Sequence, residues 1–300
     1  LERLKVELRL WKLLKKEVEI EEISIRNATF DTRDFIDGIV VNGHLGELYL
    51  ESHGVVFSPE TARINEFSVK NTDVSLTLEN MEDTDTTTAE PIYWKILLDE
   101  IDFENVGFAL NMPQDSLFVR TMLPKTTLKD GVIDLKEASY YVKSFDMDNA
   151  ELAYGPKEEL SLKKIGLQLD SIYYCGRDIR ANVEEFVFKE RSGLELVSTE
   201  GRIASDSVLI QIPKFTMKTT ASSLDLQTKI GWDVLEMKKT GVLSAKINAE
   251  IGKGDVAKIL GGRDTLFLQT YPNKPFVFRA DAEGDLNRLR LRTLEAGLAK

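Results

Sequence analysis

Cysteine and histidine are nearly missing from this sequence. Cys175 stands alone, so no disulfide can form within the chain. With only His44 and His53 beside it, no Cys/His zinc constellation is available. No apolar run reaches the ~18 residues that a helix needs to span a bilayer, and no signal peptide is visible. Basic clusters are missing too. Residues 1–150 hold 16 basic and 29 acidic groups, a net −13, and 151–300 hold 23 and 21, a net +2. Such an acidic half argues against nucleic acid, whose phosphates need clustered Lys and Arg. Nor is there a strand–long helix–strand rhythm, so a doubly wound sheet is not expected.

What the sequence does have is alternation. The apolar fraction of 42% and charged fraction of 30% are those of a folded chain. "VSLTLEN" (74–80), residues 131–154, "LSLKKIGLQLDSIYY" (160–174) and "KTGVLSAKINAEIG" (239–252) place apolar residues two apart. That is the mark of half-buried strands. Helical patterns are few and short: 11–16, 91–98 and 255–260. Alternation already begins at Leu4, Val6 and Leu8, so a piece of a longer protein is expected.

A repeat lies within the alternation: apolar-x-x-apolar-x-apolar-x-Asn-x-x-apolar. Its copies are Ile20, Ile23, Ile25, Asn27, Phe30; then Ile64, Phe67, Val69, Asn71, Val74; then Leu98, Ile101, Phe103, Asn105, Phe108; then Val142, Phe145, Met147, Asn149, Leu152. Copies without Asn start at Leu162, Val183, Ile212 and Leu286. Side chains two apart share a strand face, whereas a step of three reverses it unless the backbone absorbs a residue in a bulge or turn. Asn suits that place, because it tolerates the left-handed conformation. Each copy therefore reads as a strand that bends at both ends and keeps one apolar face. Repeated bends curl a sheet into a trough or open barrel; an ordinary β-sandwich with bulges fits the same periodicity.

The inner wall of such a trough would be Ile23, Ile25, Phe67, Val69, Ile101, Phe103, Phe145, Met147, Phe186, Phe188, Phe215, Met217, Leu289 and Leu291. Their neighbours Ser24, Arg26, Ser68, Lys70, Asp102, Glu104, Asp146, Asp148 and Lys189 suit water. Burying one acyl CH2 is worth ~0.8 kcal/mol, so a sixteen-carbon chain gains on the order of 13 kcal/mol from an apolar track. The same side chains would equally fill a dry core.

Other motifs carry no chemistry. Asp31, Asp34 and Asp37 before Gly38 are spaced by three, where a calcium loop uses two. "GKGD" (252–255) lacks the P-loop frame and reads as a strand end that caps a short helix from Asp255. His44 and His53 fall on opposite faces by period two. No nucleophile context is visible, so no catalytic residue, metal or cofactor is assigned. Residues 79–91, acidic and Thr-rich, read as a flexible loop.

The run "LWKLLKKEVEIEEISIRNATF" (10–30) resembles the AsmA-like and TamB-like proteins of Gram-negative envelopes. Its Trp, Leu-Leu pair and V-x-I-x-x-I-x-I strand carry the likeness, and "YWKILLDEIDFEN" (93–105) partly repeats it. "GVLSAKINAEIGKGDV" (241–256) and "KPFVFRADAEGDLNRLRL" (274–291) are similar to the TamB-like proteins of Bacteroides-type bacteria. The resemblance implies a mainly β fold: an elongated, curved antiparallel sheet forming a U-shaped open groove, with a few short helices. It implies one continuous segment over 1–300, an N-terminal or middle piece, to which the sequence adds a sub-boundary near 155–160. It further implies a non-enzymatic periplasmic protein, anchored in the inner membrane, that shields phospholipid acyl chains between the membranes. Outer-membrane protein assembly beside a BamA-type barrel would involve parts not present here. The alternative is a structural or interaction β-module, sandwich or solenoid-like, with a filled core and no lipid conduit.

Overall fold

In the computed structural model the described residues are 1–9, 17–32, 38–57, 60–78, 93–237, 241–261, 263–285 and 287–299. Strands dominate, as the alternation predicts. They are β1 (Arg3–Leu8), β2 (Glu17–Asp31), β3 (Ile39–Phe57), β4 (Glu60–Leu78), β5 (Lys95–Met112), β6 (Leu117–Asp134), β7 (Ser139–Tyr154) and β8 (Leu160–Cys175). Then follow β9 (Asp178–Glu190), β10 (Glu195–Ser205), β11 (Leu209–Thr219), β12 (Ser223–Gly231), β13 (Leu243–Ile251), β14 (Phe276–Gly284) and β15 (Leu289–Leu298). All fifteen form one sheet in chain order, and it is not closed, with β1 and β15 at its edges. By contacts the chain divides into two compact units, Leu1–Ile165 and Gly166–Lys300, and the division falls inside β8.

The sheet is mixed, which corrects the expected antiparallel one. β4 and β5 run parallel, while every other pair with an assigned register is antiparallel. Parallel pairing sets two repeat copies side by side in the same phase: Ile64 faces Leu98, Phe67 faces Ile101, Val69 faces Phe103 and Val74 faces Phe108.

The four Asn residues adopt the left-handed conformation, with φ of 49° at Asn27, 49° at Asn71, 53° at Asn105 and 54° at Asn149. Against the strand partners the kink adds no residue. Arg26 faces Glu47 and Ala28 faces Leu45, which leaves Asn27 opposite Gly46. By the same reading Gly46 stands opposite Asn71, Asn71 beside Asn105, Asn105 opposite Pro124 and Pro124 opposite Asn149. One line of kinks thus crosses six strands in register, where the sequence alone pointed equally to a bulge or a turn. A Cβ on Gly46 would lie 2.3 Å from the Asn71 carbonyl oxygen, so only glycine fits there.

The other step of three makes a second line. Pairing skips Asn65 and Asp99, then Asp130 (φ 51°), then Lys143, again without a register change. A Cβ on Gly131 would lie 3.2 Å from both Leu128 Cδ2 and Leu98 Cβ. Leu98 and Leu128 therefore meet on one face across that line. True bulges, with shifted register, occur at Ile20–Ile23 of β2 and Ile212–Phe215 of β11.

Three short helices are present among the described residues: α1 (Trp232–Leu235), α2 (Lys253–Leu260) and α3 (Thr265–Thr270). Gly252 is the N-cap of α2, and Asp255 lies within its first turn rather than capping it. The helix expected over 91–98 is not formed at 95–98. Those residues begin β5, because Ile96 and Leu98 take the alternating phase of Ala62 and Ile64 beside them. The helix expected over 11–16 and the loop expected over 79–91 lie outside the described residues, as do Asp34 and Asp37.

Candidate functional site

In the first unit the repeat places its apolar side chains in straight rows across the strands. One row runs Val6, Ile23, Leu50, Phe67, Ile101, Leu128, Phe145. The next runs Leu4, Ile25, Leu48, Val69, Phe103, Thr126, Met147. Eight of the sequence-predicted residues fall in these two rows. The two rows touch each other: the rings of Phe67 in the first and Phe103 in the second meet edge to face, centroids 6.2 Å apart. Val69 is buried, while the seven other predicted residues of these rows are half-buried.

Sequence reasoning missed Leu48, Leu50, Thr126 and Leu128, the contributions of β3 and β6. These strands run antiparallel to the repeat and carry Gly46 and Pro124, not Asn, on the Asn line, so the motif skips them. Alternation in "LGELYLE" (45–51) was the available signal. Thr126 is buried, and its Oγ1 has no hydrogen-bond partner among the described residues.

In the second unit Phe215 and Met217 stand in adjacent rows. The first is Gly201, Phe215, Leu226, Ile247, Ala280, Leu294, and the second is Thr199, Met217, Leu224, Ala249, Phe278, Ala296. A Cβ on Gly201 would meet the Phe215 ring at 2.7 Å. Phe186 and Phe188 pack together on β9, ring centroids 5.4 Å apart. Leu289 and Leu291 lie on the edge strand β15, opposite Gly284 and Ala282, and are about half exposed.

The other face of the first unit is charged in a regular order. Arg26, Glu47, Lys70, Glu104, Lys125 and Asp148 follow one another across the strands, so the sign alternates. Arg26 reaches Glu47 at 3.1 Å and Lys70 reaches Glu104 at 3.2 Å. Hydrogen bonding to Glu100, then its charge, raises the pKa of Lys129 on this face. Burial, then a hydrogen bond to Glu51, raises the Tyr49 phenol. Ser24 and Ser68, expected in water, are buried instead. Both are short side chains flanking Tyr49 in one cross-strand row, where larger neighbours screen them.

A cleft of about 690 Å³ lies beyond the Asn line. Its walls include His44, Asp73, Met122 and Glu151, one cross-strand row, with Arg120, Glu158 and Lys163. These side chains alternate with Val74 and Phe108, so their row belongs to the face opposite those apolar residues. His44 pairs with Asp73 across the strands, while His53 Nδ1 meets Asn65 Oδ1 at 2.9 Å. No group of three or more His, Cys, Asp or Glu positioned for a metal occurs among the described residues. No helix among them is long and apolar enough to cross a membrane. No family model matches the chain, and no curated protein is similar to it.

Proposed function

We propose that the chain shields phospholipid acyl chains along the apolar face of its sheet, without catalysis. The observation that carries this is the pair of apolar rows centred on Phe67 and Phe103. Six strands at a spacing of ~4.8 Å make each row from β2 to β7 about 24 Å long. One leaflet of a bilayer core is about 15 Å thick, half of the whole. An acyl chain could therefore lie along a row with its headgroup left in water. These residues belong to a single sheet that is not closed, and most of their side chains keep part of their surface uncovered. A filled sandwich would bury that surface against a second sheet.

The resemblance to TamB-like and AsmA-like proteins supplies the setting. In it the chain is part of an envelope protein anchored in the inner membrane, and its sheet curves into a groove across the periplasm. There it serves phospholipid transport and, beside a BamA-type barrel, outer-membrane protein assembly. The physics of the rows needs none of this; it asks only for a long apolar ligand.

Native mass spectrometry and organic extraction of the purified chain test the reading. Co-purified phospholipid is expected, and it should fall sharply in Phe103→Asp. A photocrosslinker at Phe103 should capture lipid, and one at Asp146 should not. Equal capture at both positions, or lipid-free protein from a lipid-rich host, would reject the proposal.

A further inference from the structure

The chain carries a net charge of −11, yet residues 252–275 run against it, with four basic groups (Lys253, Lys258, Arg263, Lys274) and two acidic ones (Asp255, Asp264). Both acids are turned to structural work. Asp255 is 3% exposed, accepts a hydrogen bond from Ser222 at 2.6 Å and another from Thr219, and pairs with Lys258. Asp264 caps α3 by accepting from the Phe267 amide at 2.9 Å. Arg263 and Lys274 remain exposed.

Beside these cations stand bare apolar side chains. Ile259 on α2 is 70% exposed, and Leu266 and Phe267 on α3 are 75% and 47% exposed. The segment is nonetheless held firmly. The Tyr271 hydroxyl donates to the Ile251 carbonyl at 3.0 Å, and Lys253 Nζ donates to the Tyr271 carbonyl at 3.0 Å. Thr219 and Ser222 tie α2 to the turn between β11 and β12.

The opposite strand ends supply a control. There α1 and the turn after it also present apolar side chains, Leu235 at 49% and Met237 at 87% exposure. Residues 232–242 hold two acidic groups, Asp233 and Glu236, and two basic ones, Lys238 and Lys239, so they carry no net charge. Asp206 stands beside Trp232, and Arg177 is occupied by Glu236 and the face of Trp232. Apolar exposure is thus common to both ends, whereas the cationic surplus belongs to α2 and α3. Apolar tips among Arg and Lys are what an interfacial segment offers an anionic bilayer.

We infer that α2 and α3 form a docking surface for a bilayer containing anionic phospholipid. This goes beyond acyl shielding by the sheet and stands without it. Sedimentation of the 300-residue chain with phosphatidylcholine vesicles, and with vesicles that also contain phosphatidylglycerol, tests it. Binding is expected only to the anionic vesicles and should weaken with salt. Each cation near such a surface is worth about fivefold in partitioning, so Arg263→Glu with Lys274→Glu should lose tenfold or more, roughly. Leu266→Asp should lose about as much, while Leu235→Asp should bind as the parent does. Phe103→Asp separates the two proposals: it should keep vesicle binding while losing co-purified lipid. Equal binding to both vesicles, no binding, unchanged binding in the α2–α3 variants, or loss in Phe103→Asp would each overturn the inference. So would self-association that Leu266→Asp abolishes in place of vesicle binding.

Discussion

Substituting Asn149 discriminates between two accounts of the kinked line. If the left-handed backbone is what the repeat preserves from copy to copy, the position needs a residue that tolerates positive φ. A β-branched side chain does so worst. Asn149→Val should then destabilise by roughly 1–2 kcal/mol, the usual left-handed penalty. Asn149→Gly should stay within about 0.5 kcal/mol of the parent, because relief of strain offsets the added freedom of the unfolded chain. The rival account gives the effect to the amide side chain. It has some force at Asn105, whose Nδ2 donates to Asn71 Oδ1 at 3.3 Å. That bond is long and exposed, so Asn105→Gly should cost only about 0.5 kcal/mol more than Asn149→Gly. Urea unfolding of the parent and the three variants, compared at matched m-values, measures the differences. If Asn149→Gly is as damaging as Asn149→Val, conformation is not the reason for the Asn, and the kink account fails.

Other perturbations follow from the same geometry. Gly46→Ala should cost more than any Asn variant, about 3 kcal/mol or above, because the new methyl meets β4 backbone rather than a movable side chain; the same urea series reads it. Thr126→Val should stabilise by about 1 kcal/mol by removing an unsatisfied buried hydroxyl at constant shape, and a fall in melting midpoint would show that the hydroxyl has a partner. Lys70→Glu would put a third carboxylate between Glu47 and Glu104 in one cross-strand row; a loss of about 1 kcal/mol at low salt, largely recovered at high salt, is expected. At Asp255 burial raises the pKa, but hydrogen bonds from Ser222 and Thr219, with Lys258, outweigh it and hold the carboxyl below its usual range. A depressed carboxylate contributes stability above its unfolded pKa of ~3.9 and loses it as pH falls through the folded value. Asp255→Asn should therefore flatten the acid limb of the stability curve below about pH 4; an unchanged limb would contradict the assignment.

How much of this could be read from the sequence depended on which strand was read. In β2, β4, β5 and β7 the Asn slot marks the first line, and the left-handed φ values match that reading. The earlier step of three marks the second line in β4, β5 and β7, but in β2 it is a bulge with shifted register. The copies without Asn were legible as strands but not as kinks. At Ile212–Phe215 the same step of three is a bulge with shifted register, a distinction that periodicity does not carry. The parallel step from β4 to β5 was invisible, because alternation has no direction. Side-chain identity also misled at Ser24 and Ser68, where polarity implied water and the neighbourhood gave burial. Of the two rows in the first unit, the motif names the eight residues that belong to the repeat and misses the four of β3 and β6.

Those two strands escape the motif for a physical reason. A kink that crosses a sheet must be accommodated by every strand, but each strand can solve it differently. Gly46 solves it by having no side chain where Asn71 comes within contact. Pro124 solves it in β6, an interior strand where proline is ordinarily excluded for want of an N–H donor. Here the exclusion does not apply. The ladder already skips Pro124 opposite Asn105, between Glu104–Lys125 and Val106–Leu123, and skips Pro124 together with Leu123 opposite β7, between Lys125–Asp148 and Met122–Glu151. Proline thus occupies the one place in β6 along this line where no donor is required. It follows that Pro124→Ala should be nearly neutral, whereas proline moved two residues along, as Thr126→Pro, should break paired ladder bonds and prevent stable folding. If circular dichroism and urea unfolding found Thr126→Pro as stable as Pro124→Ala, the continuous line from Asn27 to Asn149 would have to be abandoned.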